Sequence, residues 1–188
     1  HLSRVGEKGH GNQSLPCSLD FRYYKDIYIV KTNLNGAALW QKTHGNEYLE
    51  KGTDLVAKES GGYIIAGEKC DHGYNISSCD NRAKIILLEI DEDGNSNQET
   101  VLNNLYFFEA GSPISISNTS NGGYVFVSKP KNNGYTWFYK WGQNENSIDL
   151  KLENAGYGGE SIEMSNDGGF IIGTSGNTII KTDQELNF

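Results

Sequence analysis

Three stretches decide the fold: Ser60-Gly-Gly-Tyr-Ile-Ile-Ala-Gly67, Asn121-Gly-Gly-Tyr-Val-Phe-Val-Ser128 and Asp167-Gly-Gly-Phe-Ile-Ile-Gly-Thr174. Each passes from a polar residue through a Gly-Gly pair and an aromatic into a short apolar run. A strand-like segment precedes each of them, at residues 54–58, 114–117 and 161–164. Two strands joined by a short Gly-containing turn make a β-hairpin. A second unit follows each hairpin, and one copy also precedes the first, at residues 27–36, 84–94, 136–146 and 177–186. Aligning these copies brings Lys31, Glu89, Lys140 and Lys181 to one position. A further strand then follows at residues 38–43, 99–102 and 147–152.

The order is therefore strand pair, strand pair, repeated, in groups of two, four, four and three strands. Four short strands per unit of about 40–60 residues is the pattern of β-propeller blades. The phrases Trp40-Gln-Lys42-Thr43-His-Gly45 and Ser60-Gly-Gly-Tyr-Ile-Ile-Ala-Gly67 resemble the repeats of secreted bacterial β-propeller proteins. In those repeats an S-x-GG-Y-I-I-x-G hairpin precedes one ending in W-x-K-T-x-G. The resemblance covers roughly residues 26–188. The third unit departs from it, with Trp137 and Trp141 where aliphatic or small polar residues are usual and no W-x-K-T phrase. What the resemblance implies is a fold and a secreted or cell-surface context. It brings no catalytic residues, because such repeats are structural.

The expected architecture is all-β, with propeller-type four-stranded blades, about three to four per chain. Propellers ordinarily close with four to eight blades. The chain could close a small four-bladed ring, share a larger ring with a second copy as a homodimer by blade completion, or stay open with edges that invite association. Residues 26–188 form the repeat domain, and residues 1–25 read as an N-terminal arm. The first sixteen of these (HLSRVGEKGHGNQSLP) are polar and Gly-rich without strand or helix periodicity. The chain starts at His1 rather than methionine, which reads as a processed or trimmed end from which any signal peptide is gone.

Composition agrees with this picture and narrows the partners. The 188 residues include 23 glycines but only 3 prolines, which suits many tight turns rather than a linker. A formal net charge of -8 disfavours a duplex-wrapping nucleic-acid binder. No apolar run approaches the roughly 18 residues that a membrane span needs.

Individual candidates follow from the same alignment. Cys70 and Cys79 bracket an insert between two strands. They read as a disulfide closing a loop, with free thiols or a metal site as alternatives, and Cys17 is left over. The run Asp91-Glu-Asp-Gly-Asn95 invites a calcium reading. However, the aligned segments at residues 32–36 and 182–186 lack its carboxylates, so a hairpin turn is expected. Period-2 alternation places Trp137, Tyr139 and Trp141 on one strand face. With Tyr135 and Asn132 they form either packing between blades or an aromatic platform for a sugar ring. His44 reads as a packed strand-end residue. Glu160, Glu163 and Asp167 read as solvated carboxylates near a turn, and the sequons at Asn12, Asn75 and Asn118 as silent unless the source is eukaryotic.

No nucleophile elbow, H-E-x-x-H, P-loop or Rossmann glycine pattern is present in the sequence, and no cofactor is expected. The leading expectation is a non-enzymatic binding module for a glycan or protein ligand. A polysaccharide- or peptide-acting hydrolase or lyase, and a structural surface segment assembling through open edges, are the alternatives.

Overall fold

The computed structural model describes residues 2–10, 24–46, 48–70, 83–102, 114–128, 136–142, 148–153 and 158–187. Among the described residues there are fourteen strands and no helix, so the protein is all-β. The strands fall into four antiparallel meanders. The first comprises β1 (Leu2–His10), β2 (Tyr24–Thr32) and β3 (Ala38–His44). The second comprises β4 (Leu49–Ala57), β5 (Tyr63–Cys70), β6 (Ala83–Ile90) and β7 (Ser96–Leu102). The third runs through β8 (Ile114–Asn118), β9 (Tyr124–Ser128), β10 (Thr136–Trp141) and β11 (Ile148–Glu153). The fourth holds β12 (Gly159–Met164), β13 (Phe170–Thr174) and β14 (Ile179–Thr182). A parallel bridge between Lys25 and Leu49 joins the first two meanders into one seven-stranded sheet.

The Gly-Gly pair has a two-part physical reason. The first glycine of each pair takes a left-handed backbone: φ is +89° at Gly61, +80° at Gly122 and +83° at Gly168. An L side chain is strained there. The second glycine lies against the end of the strand two places on. A Cβ would come within 2.2 Å of the Ile90 carbonyl oxygen at Gly62, 3.0 Å of Trp141 O at Gly123 and 2.0 Å of Thr182 O at Gly169. Ile90, Trp141 and Thr182 pair with Tyr63, Tyr124 and Phe170. Three hairpins thus repeat one contact with the strand that follows.

Alternation along these strands points successive side chains to opposite faces, and both faces of the inner meanders are covered. Ile27 and Ile29 of the first meander meet Ile65, Ile86, Leu88 and Ile90 of the second. The opposite face of the second, with Ile64, Ala66, Ile85 and Leu87, meets Ile114, Ile116, Phe126 and Tyr139 of the third. The third meander's other face (Val125, Val127 and Phe138) meets Ile162, Phe170, Ile172 and Leu186 of the fourth. The core is therefore three apolar layers between four successive meanders.

Within the N-terminal arm, Leu2–His10 forms a regular strand paired antiparallel along β2, from Leu2 against Lys31 to His10 against Tyr24. The backbone pairing gives β2 a neighbour where it would otherwise be an edge with unpaired N–H and C=O groups. Glycines at 6 and 9 and scattered charges hide that strand from any alternation test.

Candidate functional site

Two grooves open where the meanders meet. The first strands β4, β8 and β12 converge on a cavity of about 560 Å³, lined among others by Asp54, Ser115, Ser117, Glu163 and Ile179. A chain of side-chain staples runs along it. Asp54 Oδ2 accepts from Ser115 Oγ at 2.7 Å and from the Ile116 N–H at 3.0 Å. Ser115 Oγ in turn accepts from the Ile162 N–H at 3.2 Å, and Ser117 Oγ from the Met164 N–H at 3.0 Å. Asp54, Ser115 and Ser161 occupy the same place in successive units, so one device ties each first strand to the next. Because Asp54 Oδ1 also accepts from the Leu55 N–H at 2.8 Å, both oxygens of this carboxylate are committed to structure.

The second groove, about 430 Å³, lies between the turns of the third and fourth meanders. Its wall is Trp141, half-buried, with its ring 5.6 Å from that of Tyr124 at an interplanar angle of 33°. Ser120, Asn121, Gln184 and Glu185 supply polar groups around it. Lys140 Nζ donates to the Gln184 carbonyl at 2.7 Å and closes one end. An aromatic face beside several hydroxyl, amide and carboxylate groups suits a ligand with both a C–H face and hydroxyls.

The residues singled out by sequence separate here. Trp141 lines this groove. Tyr139 does not: it is fully buried, stacked on Phe126 at 4.6 Å between ring centroids, within the layer between the second and third meanders. Burial pushes its phenol above the ordinary range, with Ser128 working against that shift. Tyr139 is thus a core residue and not part of a ligand platform; Trp141, on the same face of β10, packs partly against the same layer, and its place at the end of the strand brings it to the groove. The Trp137 side chain, Tyr135 and Asn132 lie outside the described residues. So do Cys79, Cys17, Asn12 and Asn75. Cys70 is buried at the end of β5, directly across from Ala83 on β6.

The acidic run 91–95 is a turn. Asp91 Oδ1 accepts from the Asp93 and Asn95 N–H groups at 3.0 and 2.8 Å, and Asn95 Nδ2 donates to Oδ2. These bonds, led by those from Asn95, hold its carboxyl below the ordinary value. Asn33 and Asp183 build the same turn in their own meanders. The W-x-K phrase gains a role beside it. Trp40 Nε1 donates to the Glu92 carbonyl at 2.9 Å, Lys42 Nζ to Asn95 Oδ1 at 3.2 Å, and Lys31 Nζ to Glu92 O at 3.2 Å. The first meander thereby clasps the turn of the second. Lys140, aligned with Lys31, makes the equivalent reach to Gln184.

Asp167 is exposed and paired with Lys181 at 2.7 Å, which with Ser165 and the Gly169 N–H holds its carboxyl well below the usual range. Glu160 and Glu163 are exposed on β12. His44 is half-buried at the end of β3, and burial lowers its pKa. Sequence reasoning missed a buried polar cluster. Glu50 and Glu68 are fully buried, and Lys69 Nζ sits 2.7 Å from Glu99 Oε1 and 3.6 Å from Glu50 Oε1. Burial raises the Glu50 carboxyl to about 7, against the pull of Lys69. For Lys69, burial works against the charge, yet Glu99 and Glu50 together hold it above its ordinary value.

No family model and no curated protein matches the chain. Among solved structures it is similar to a protein of unknown function from Bacteroides caccae, with a TM-score of 0.53 and 14% identity. The match covers 97% of this chain and 55% of that one, so this chain spans about half the length of its structural neighbour. The likeness is one of fold.

Proposed function

We propose that the chain is a non-enzymatic glycan-binding module built from propeller-type blades, in a protein that works at the cell surface or outside the cell. The blade reading is supported by the two four-stranded meanders in the middle of the stack, by the face-to-face layers, and by first strands that gather around one groove. The resemblance of the Gly-Gly and W-x-K-T phrases to secreted bacterial propeller repeats supports the exterior location. In that setting Cys70 and Cys79 form the loop-closing disulfide. Cys70 and Ala83 sit opposite one another, so the chain leaves and re-enters the sheet at adjacent backbone positions.

The observation that carries the ligand class is Trp141 as an aromatic wall among polar turn side chains. Stacking of a sugar C–H face on an indole, with hydroxyls bonded by amides and carboxylates, is the chemistry this groove offers. Titration of mono- and oligosaccharides, followed by tryptophan fluorescence and by NMR of the sugar, tests it. Quenching that Trp141→Ala removes, with the fold retained by circular dichroism, is the expected result. A panel of plant, bacterial and animal glycans that all leave both signals unchanged would sink the reading.

A further inference from the structure

The three internal layers show what ought to cover the outer face of the fourth meander. Ile64 and Val125 hold the same place in the second and third meanders, and each is buried against the meander that follows. Their counterpart Ile171 is 44% exposed. Leu87 and Phe138 likewise are buried, whereas their counterpart Ile179 is 77% exposed. The face of β12–β14 therefore carries the apolar pattern of an internal layer with nothing over it among the described residues. At the other end of the stack, the first meander turns outward Leu39 (60% exposed) beside half-buried Tyr28 and Val30. These belong to the face that in every later meander meets its predecessor.

From this register we infer that the β12–β14 face binds the β1–β3 face of a second copy of this chain, head to tail, as each internal meander binds the next. Two lysine contacts between neighbouring meanders set the alignment, the intervening Glu89 pairing instead with Lys58 of its own meander. Lys31 reaches the Glu92 carbonyl and Lys140 the Gln184 carbonyl of the following meander. Lys181 is the next lysine at that position, and Leu34 stands in its turn where Glu92 and Gln184 stand in theirs. The Leu34 carbonyl of the second copy is accordingly the acceptor for Lys181, which exchanges its present partner Asp167. Leu34 itself is 86% exposed. Two copies joined head to tail at both ends make a closed particle, in which each interface is heterologous and the pair has a two-fold axis.

The test is the mass of the particle by native mass spectrometry and sedimentation, from low micromolar to about 100 µM. A two-chain species is expected. Ile179→Glu on one face and Leu39→Glu on the other should each raise the dissociation constant at least about tenfold, since each buries an unpaired charge. Both positions are exposed, so folding should survive, and circular dichroism checks this; Ile179→Ser and Leu39→Ser serve if it does not. Mixing the two variants should restore a heterodimer, because one intact head still meets one intact tail. A wild type that is monomeric throughout, a dimer broken by Ile179→Glu but untouched by Leu39→Glu, or a mixture that stays monomeric would each overturn the inference. None of these readings depends on a glycan, so failure here and failure of the Trp141 groove are separately visible.

Discussion

At the scale of single residues, the protein places ordinary side chains under unusual constraint. Glu50 is the clearest case. Its carboxyl sits at about 7 when folded against an ordinary 4.5, because burial penalises the charge more than Lys69 relieves it. A raised folded pKa means the folded state holds the proton more tightly. This contribution to stability is full below about pH 4.5 and is lost as pH rises through 7. Thermal unfolding followed from pH 4.5 to 8.5 should show that decline, and Glu50→Gln should flatten it while raising stability at the alkaline end by about 1–3 kcal/mol. An unchanged pH profile in the variant would locate the titration elsewhere. The turn glycines give a second, independent prediction. Gly169→Ala drives a methyl to within 2.0 Å of a backbone oxygen, whereas Gly168→Ala meets only the left-handed backbone penalty of about 1 kcal/mol. Chemical denaturation should rank the 169 variant as the more damaging, by at least about another 1 kcal/mol.

At the scale of strands and turns, the repeat in the sequence records contacts between neighbouring meanders. The Gly-Gly hairpins and the strands that follow them were legible because each copy carries the same demand on φ and on backbone approach. The inner face of the aromatic strand was not, since period-2 alternation gives the face of Tyr139 but not which neighbour lies against it. Strand β1 escaped for the opposite reason: it is held by backbone pairing, which leaves no pattern in the side-chain types. The staple series was likewise hidden, because an Asp in one unit and a Ser in the next perform the same task with different residues. That substitution makes it testable. Asp54→Ala removes the acceptor for Ser115 Oγ and the Ile116 N–H and should cost about 1–3 kcal/mol. Asp54→Asn keeps one carbonyl oxygen and should recover part of it. Equal losses in the two variants would mean that packing, and not the hydrogen bond, holds β4 to β8.

At the scale of the whole molecule, stability follows from the stacking order. A meander covered on both faces draws on two apolar layers, and an end meander on one, as in quasi-one-dimensional repeat proteins. The second and third meanders hold the residues buried toward both neighbours, such as Ile64 with Ile65 and Val125 with Phe126. The fourth has its apolar layer on one side and leaves Ile171 and Ile179 outside. Local opening should therefore begin there, since regions with few buried apolar contacts open at the lowest free energy. Hydrogen exchange read by mass spectrometry should find β5, β6 and β9 slowest and β13 and β14 fastest to exchange when the protein is dilute. Raising the concentration until the end faces are occupied should slow exchange in the two end meanders, β1–β3 and β12–β14, and Ile179→Glu should abolish that concentration effect while leaving β5 and β6 unchanged. Uniform exchange across the four meanders would instead mean that the stack opens as a single cooperative unit, with its end no weaker than its middle.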